Sequence, residues 1–224
     1  MVTANRGKGS NDVIDNDVRL LAQLSHFWDN LATVTYMSVS VLPYAYGASS
    51  WIADYGTAGP PVAADMATVS SSLDEVLSAE VREAQIAMGC TAEELLLAAL
   101  SRTVARTIGE GVLVVDIVSG PERAGYRRVG VSCVSHRGMS GPELLAAARP
   151  VADNGDHLSA DVEFAYGAGP RSGQCEHPLA VHIRRDSATT MRLDWRFDSR
   201  GFDHCTVQEL TEQFPLALIE VTSG

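Results

Sequence analysis

The run from Thr91 to Val118, TAEELLLAALSRTVARTIGEGVLVVDIV, constrains this chain more than any other stretch. Thr91 and Glu94 form a T-x-x-E capping box, in which each side chain can satisfy the other's backbone donor, so a helix is predicted over 92–108. Its first half is nearly all apolar, which requires burial on most sides. Gly109 ends it, and VLVVDIV at 112–118 is a continuous β-branched run, the pattern of a buried strand. A buried helix leading into a buried strand points to a layered α/β fold.

The remaining elements agree. Val18, Leu21, Leu24, Trp28 and Leu31 give one apolar helical face over 17–33, with Asp17 as its cap. Residues 43–65, with Pro43, Gly47, Gly56, Gly59, Pro60 and Pro61, read as a long irregular stretch whose aromatics Tyr44, Tyr46 and Trp51 pin it to the surface. A strand is expected at 67–73. A helix follows at 74–87, with Val76, Leu77, Val81, Ala84 and Ile86 as its apolar positions and Gly89 as its stop. Further strands are predicted at 127–135, 161–166, 179–184 and 190–197, the last two joined by a hairpin-length loop. A short helix at 141–149 has Pro142 in its first turn. The last helix is predicted from Thr206 to Val221, with Thr206 and Glu209 as a second capping box and Leu210, Phe214 and Leu218 as its stripe. Pro215 should bend it or mark its first turn. The fold class is α/β, a mixed sheet with flanking helices.

With 224 residues, 46% hydrophobic and 20% charged, the chain has material for one sizeable core and too little for two full domains. A net charge of -11 repels phosphate backbones and argues against nucleic acid as a partner. Cys90, Cys133, Cys175 and Cys205 form no CxxC pair and read as reduced thiols of a cytoplasmic protein. No signal peptide is expected, and no apolar run approaches the ~20 residues of a membrane span. Residues 1–16 read as a polar linker or leader, and 17–224 as a single unit.

The order of elements resembles a known family. GCTAEELLLAALSRTVARTIGEGVLVVDI is similar to the stretch that opens the second half of a condensation-type acyltransferase domain of nonribosomal peptide and polyketide assembly lines. GPER at 120–123 resembles that family's Gly-Arg-Glu loop. VGVSCV at 129–134 resembles its VGWFTS strand, and DVEFAYGAG at 161–169 its FNYLG strand. The ending with Phe202, Thr206, Val207, Leu210 and Phe214 resembles the family's close. The VGWFTS-like strand lacks the aromatic pair, and Ala165 stands where asparagine is usual. These departures suggest a divergent branch such as the domains attached to mycobacterial polyketide synthases of the phthiocerol type.

The resemblance implies a chloramphenicol-acetyltransferase-like lobe, one of two that enclose a tunnel for carrier-bound thioesters. The family's HHxxxDG motif, whose second histidine acts as general base, belongs to the first lobe and should precede a segment like 17–33. Nothing before Asp17 supplies it. The chain is therefore expected to be the C-terminal lobe alone, inactive by itself. Its implied partners are the N-terminal lobe of the same domain, an acyl or peptidyl carrier protein and a separate acyltransferase. No bound cofactor is expected, the substrates riding on the carrier's phosphopantetheine. A non-catalytic docking module that recruits a carrier protein or an acyltransferase is the alternative. The surface left by a missing lobe is expected to be masked by a homodimer or by the segment from Pro43 to Pro61.

Candidate site residues follow. Ser132 and Cys133, on the strand that lines the family's tunnel, and His136 just beyond it, are candidates for the tunnel wall; core packing is the other reading for the first two. Arg123, Arg127 and Arg128 are the densest basic group and could meet a phosphopantetheine phosphate or an acidic carrier protein; solvated loop charge is the alternative. His157 and Asp161 spell HxxxD in HLSAD, but Asp156 replaces the first histidine and Val162 the glycine, so the stretch reads as a polar loop. His26 reads as a surface or packing residue, and His177, His182 and His204 lack metal-ligand spacing. There is no G-x-S-x-G elbow and no phosphate-binding glycine loop.

Overall fold

A computed structural model of the protein describes residues 50–118, 126–152, 159–167 and 177–223. The predicted helix at 17–33, Tyr44, Tyr46, Cys175, Arg123 and His157 lie outside the described residues.

Seven strands form one mixed sheet: β1 (Met66–Leu73), β2 (Gly111–Val118), β3 (Arg127–Cys133), β4 (Val151–Ala152), β5 (Val162–Tyr166), β6 (Leu179–Arg185) and β7 (Met191–Asp198). Their order is β1-β7-β6-β5-β2-β3-β4. The β2–β5 and β5–β6 pairs are parallel and all others antiparallel. Among the described residues four α-helices accompany the sheet: α1 (Glu75–Met88), α2 (Ala92–Thr107), α3 (Gly141–Ala147) and α4 (His204–Thr222).

Alternation along the strands assigns the two faces of the sheet. Leu113, Val115 and Ile117 of β2, Val129, Val131 and Cys133 of β3, Val162 and Phe164 of β5, and Leu193, Trp195 and Phe197 of β7 point to one side. There they share a single core with the buried residues of the helices. The opposite face, called the open face below because no described helix packs on it, carries the ionisable residues that alternate with them.

The α2 capping box forms as predicted: Glu94 N donates to Thr91 Oγ1 at 3.2 Å and Thr91 N donates to Glu94 Oε2 at 2.8 Å. A similar box that sequence reasoning missed, Ser140 with Glu143, starts α3. Gly89 ends α1 at φ 63°, a left-handed conformation that glycine adopts without cost. Gly141 is needed for space, because a Cβ there would lie 2.4 Å from Val221 O of α4.

Three expectations are corrected. The box at Thr206 and Glu209 does not form: α4 starts earlier, with Asp203 as N-cap accepting from Cys205 N at 3.1 Å. The Thr206 hydroxyl is instead taken by Asp54 Oδ1 at 3.0 Å, while Asp54 Oδ2 accepts from Asp203 N at 2.8 Å. Second, α1 buries Ser78, Val81 and Ala84 but exposes Val76 and Ile86. At about 100° per residue Ile86 falls opposite the 77-81-84-88 stripe and Val76 on its flank. Third, Pro215 lies inside α4 and not in its first turn, with Phe214 and Leu218 buried on either side of it.

Trp51 does pin its segment. Its Nε1 donates to Val112 O at 3.0 Å, and its ring lies against Gly111. Ile52 enters the core beside it.

Candidate functional site: a buried ionic network on the sheet

Adjacent strands on the open face bring together residues far apart in sequence. Asp116 of β2 lies opposite Arg128 of β3, and opposite Glu163 of β5 on its other side. The Arg128 guanidinium donates to Asp116 twice, Nε to Oδ1 and NH2 to Oδ2, each at 2.8 Å, the bidentate geometry that suits arginine and carboxylate. His177, just before β6, places Nε2 2.9 Å from Asp116 Oδ2 and Nδ1 3.4 Å from Glu163 Oε2. His182 of β6 places Nε2 2.8 Å from Glu163 Oε1. The Tyr126 hydroxyl donates to Glu163 Oε2 at 3.3 Å, and its ring meets the His177 ring edge-on at 5.3 Å.

These groups are deep: Asp116 is 1% exposed, His182 3%, His177 5% and Glu163 8%. Burial alone pushes a carboxyl up and an imidazolium down. Here the partners outweigh it. Asp116 is held down at about 2 by the hydrogen bonds from Arg128 and His177. Glu163 is held well below the usual carboxylate range by His177 and His182. His177 is held up at about 9 by Asp116 and Glu163. At neutral pH the Asp116 and Glu163 carboxylates therefore face the Arg128 guanidinium and the His177 imidazolium.

A general base needs an accessible lone pair and a pKa near the working pH. His177 is protonated, with a carboxylate at each ring nitrogen. The Nδ1 atoms of His177 and His182 are both buried and make no hydrogen bond. The network therefore acts as a brace that ties β2, β3, β5 and β6 on the open face. Among the described residues no group of three His, Cys, Asp or Glu side chains is arranged to hold a metal ion.

The sequence candidates lie elsewhere. Ser132 is exposed on the open face, whereas Cys133 is buried in the core, its thiol pushed up to about 12 by burial and by the nearby charge of Asp161. The two residues take opposite faces of β3, so they cannot line one wall together. His136 is exposed on the loop after β3. Arg127 pairs with Glu93 at 2.9 Å and Arg128 is engaged by Asp116, so neither guanidinium is uncompensated. Asp161 of HLSAD accepts from Ser50 Oγ at 2.7 Å and from Val114 N at 3.0 Å, which fixes the start of β5 against β2. A cleft of about 390 Å³ on the helix side, lined in part by Cys90, Glu94, Leu145 and Arg149, offers no activated group. Burial and the Glu94 charge raise the Cys90 thiol, and Glu94 itself is held in the capping box. Cys90, Cys133 and Cys205 are free thiols.

Sequence reasoning missed the network because it tested the histidines only for metal spacing. A signal was present: Asp116, Glu163 and His182 each interrupt an otherwise apolar strand.

The fold is that of the condensation-type domains of nonribosomal peptide and polyketide assembly lines. The epimerization domain from the third module of tyrocidine synthetase B superposes with a TM-score of 0.58 at 15% identity, over 99% of this chain and 60% of that one. The condensation domain of the Monacolin K polyketide synthase MokA gives 0.55 at 12% identity, over 99% and 63%. In sequence, the chain is similar to one component of the phenolphthiocerol/phthiocerol polyketide synthase of Mycobacterium tuberculosis and of Mycobacterium bovis. It is 25% identical to each over 231 residues, which cover 76% of this chain and 16% of the relative's length. No protein-family model matches. No helix among the described residues is long and apolar enough to cross a membrane.

Proposed function

We propose that this chain is the C-terminal lobe of a condensation-type acyltransferase domain in a polyketide or nonribosomal peptide assembly line, and that it forms one wall of the tunnel for carrier-bound thioesters. The observation that carries this reading is the asymmetry of the structural likeness: 99% of this chain is matched, against 60% of the tyrocidine epimerization domain and 63% of the MokA condensation domain. The chemistry of the site agrees. The buried network holds His177 and His182 on carboxylates, which agrees with a base for attack on a thioester supplied by another lobe. The similarity to the mycobacterial synthase favours a phthiocerol-type setting, with lipid-like acyl groups on the phosphopantetheine of a carrier protein and a cytoplasmic location. On the open face Ser132, with Gly130 beside it, is the part of β3 available to a substrate chain.

The test is an acyl-transfer assay with a thioester-loaded carrier protein and an amine or alcohol acceptor. The chain alone should give only the uncatalysed rate, and a full domain in which an HHxxxDG-bearing first lobe precedes it should turn over. Turnover by the chain alone that is lost in His157→Ala would overturn the reading and make HLSAD the catalytic motif. A full domain that binds carrier protein yet transfers nothing would favour a docking module instead.

A further inference from the structure

We infer that Arg184, Arg192 and Ser72 form a binding site for a phosphate-type oxyanion on the open face of the sheet. Arg184 of β6 and Arg192 of β7 lie directly opposite one another across an antiparallel pair, and Ser72 of β1 lies opposite Arg192 on its other side. Three neighbouring strands thus present three donors in one row. Directly opposed residues have Cβ atoms about 5 Å apart, and like charges at that spacing repel. In a chain of net charge -11, two cations placed this way call for an anion between them.

The protein supplies only part of one. Asp194 is one carboxylate with three claimants: it accepts from Ser70 Oγ at 2.7 Å and from Arg192 Nε at 3.0 Å, and lies 3.4 Å from Arg184 NH2. Ser70 Oγ in turn accepts from Arg192 NH2 at 3.3 Å. Arg184 Nε is buried and has no acceptor. The patch is therefore rich in donors and poor in acceptors. Both guanidiniums remain reachable, with side chains 40% and 43% exposed. A tetrahedral oxyanion of charge near -2 matches two forked donors and a hydroxyl better than a single carboxylate does. Arg127 and Arg128, to which the sequence pointed, each have a carboxylate partner in Glu93 and Asp116, whereas Arg184 and Arg192 share Asp194. The inference stands apart from the assembly-line reading, because free phosphate suffices to test it.

The arginine Nε–Hε resonances are followed by NMR while inorganic phosphate, and separately 4′-phosphopantetheine, is titrated against chloride at equal ionic strength. Arg184 and Arg192 should show a saturable shift, and Arg184→Gln with Arg192→Gln should weaken binding by about tenfold or more. Arg185→Gln, on the opposite face of β6, should leave it unchanged. Equal affinity for the two ligands assigns the site to the phosphate group alone, and tighter binding of 4′-phosphopantetheine extends it to the pantetheine arm. No saturable shift, or undiminished binding in the double variant, overturns the inference. Should the double variant unfold, the native resonances decide by themselves.

Discussion

Replacing His177 with Gln should remove a pH-dependent part of the stability. His177 is 5% exposed, and its imidazolium is held at about 9 against an ordinary value of 6.5. At roughly 1.4 kcal/mol per pH unit, that gap corresponds to about 3 kcal/mol of stabilisation, shared with Asp116 and Glu163. The folded value is raised, so the contribution is complete below pH 6.5 and is lost as pH rises through 9. The two carboxylates behave in the opposite sense. Asp116, held at about 2 against 3.8, contributes above pH 3.8 and loses that contribution as pH falls towards 2. Urea unfolding followed by far-UV circular dichroism, at intervals between pH 5 and 9.5, measures the histidine limb, and a second series from pH 5 down to 2 measures the carboxylate limb. The native chain should lose about 3 kcal/mol from pH 6.5 to 9.5. His177→Gln should start lower and stay nearly flat over that interval. Parallel curves for the two proteins would refute the claim that His177 is charged in the fold.

Other outcomes follow from packing. Leu96 is fully buried in α2, and Leu96→Ala should cost about 2–5 kcal/mol in urea unfolding; a loss under about 0.5 would make that helix peripheral. Asp54→Ala removes both acceptors at the start of α4 and should cost about 1–2 kcal/mol, whereas Glu209→Ala should be nearly neutral; the reverse order would restore the Thr206–Glu209 box. Gly141→Ala places a methyl 2.4 Å from Val221 O and should lower the melting temperature by several degrees, at a cost of roughly 1–3 kcal/mol. An unchanged melting temperature would mean that α3 and α4 move apart freely.

Helices and strands were legible wherever the signal lay within one element. The Thr91–Glu94 box fixed the start of α2, and the apolar run after Gly109 marked β2, because capping and alternation are local properties. The start of α4 was misread for a related reason. Thr206 and Glu209 have the spacing of a box, but Asp54, about 150 positions earlier, reaches the same hydroxyl, and no local pattern reveals that competitor. Val76 and Ile86 were counted with the apolar positions of α1 by their hydrophobicity, while the helix phase is set by where Val81 and Ala84 meet the core.

By itself the sequence determined the class of fold, the order of its elements and the likeness to condensation-type domains, since each depends on patterns that run along the chain. Tertiary structure alone decided the sites. Asp116, Arg128, Glu163, His177 and His182 meet only once the register of β2, β3, β5 and β6 is fixed. Arg184 and Arg192 oppose each other only in the observed pairing of β6 with β7. Strand periodicity tells a residue which face it takes, but only hydrogen-bonded neighbours tell it which charge it will face. A shift of one residue in any of these ladders would turn the ionisable side chains into the apolar core, and the burial of Leu113, Phe164, Val181 and Trp195 forbids that shift.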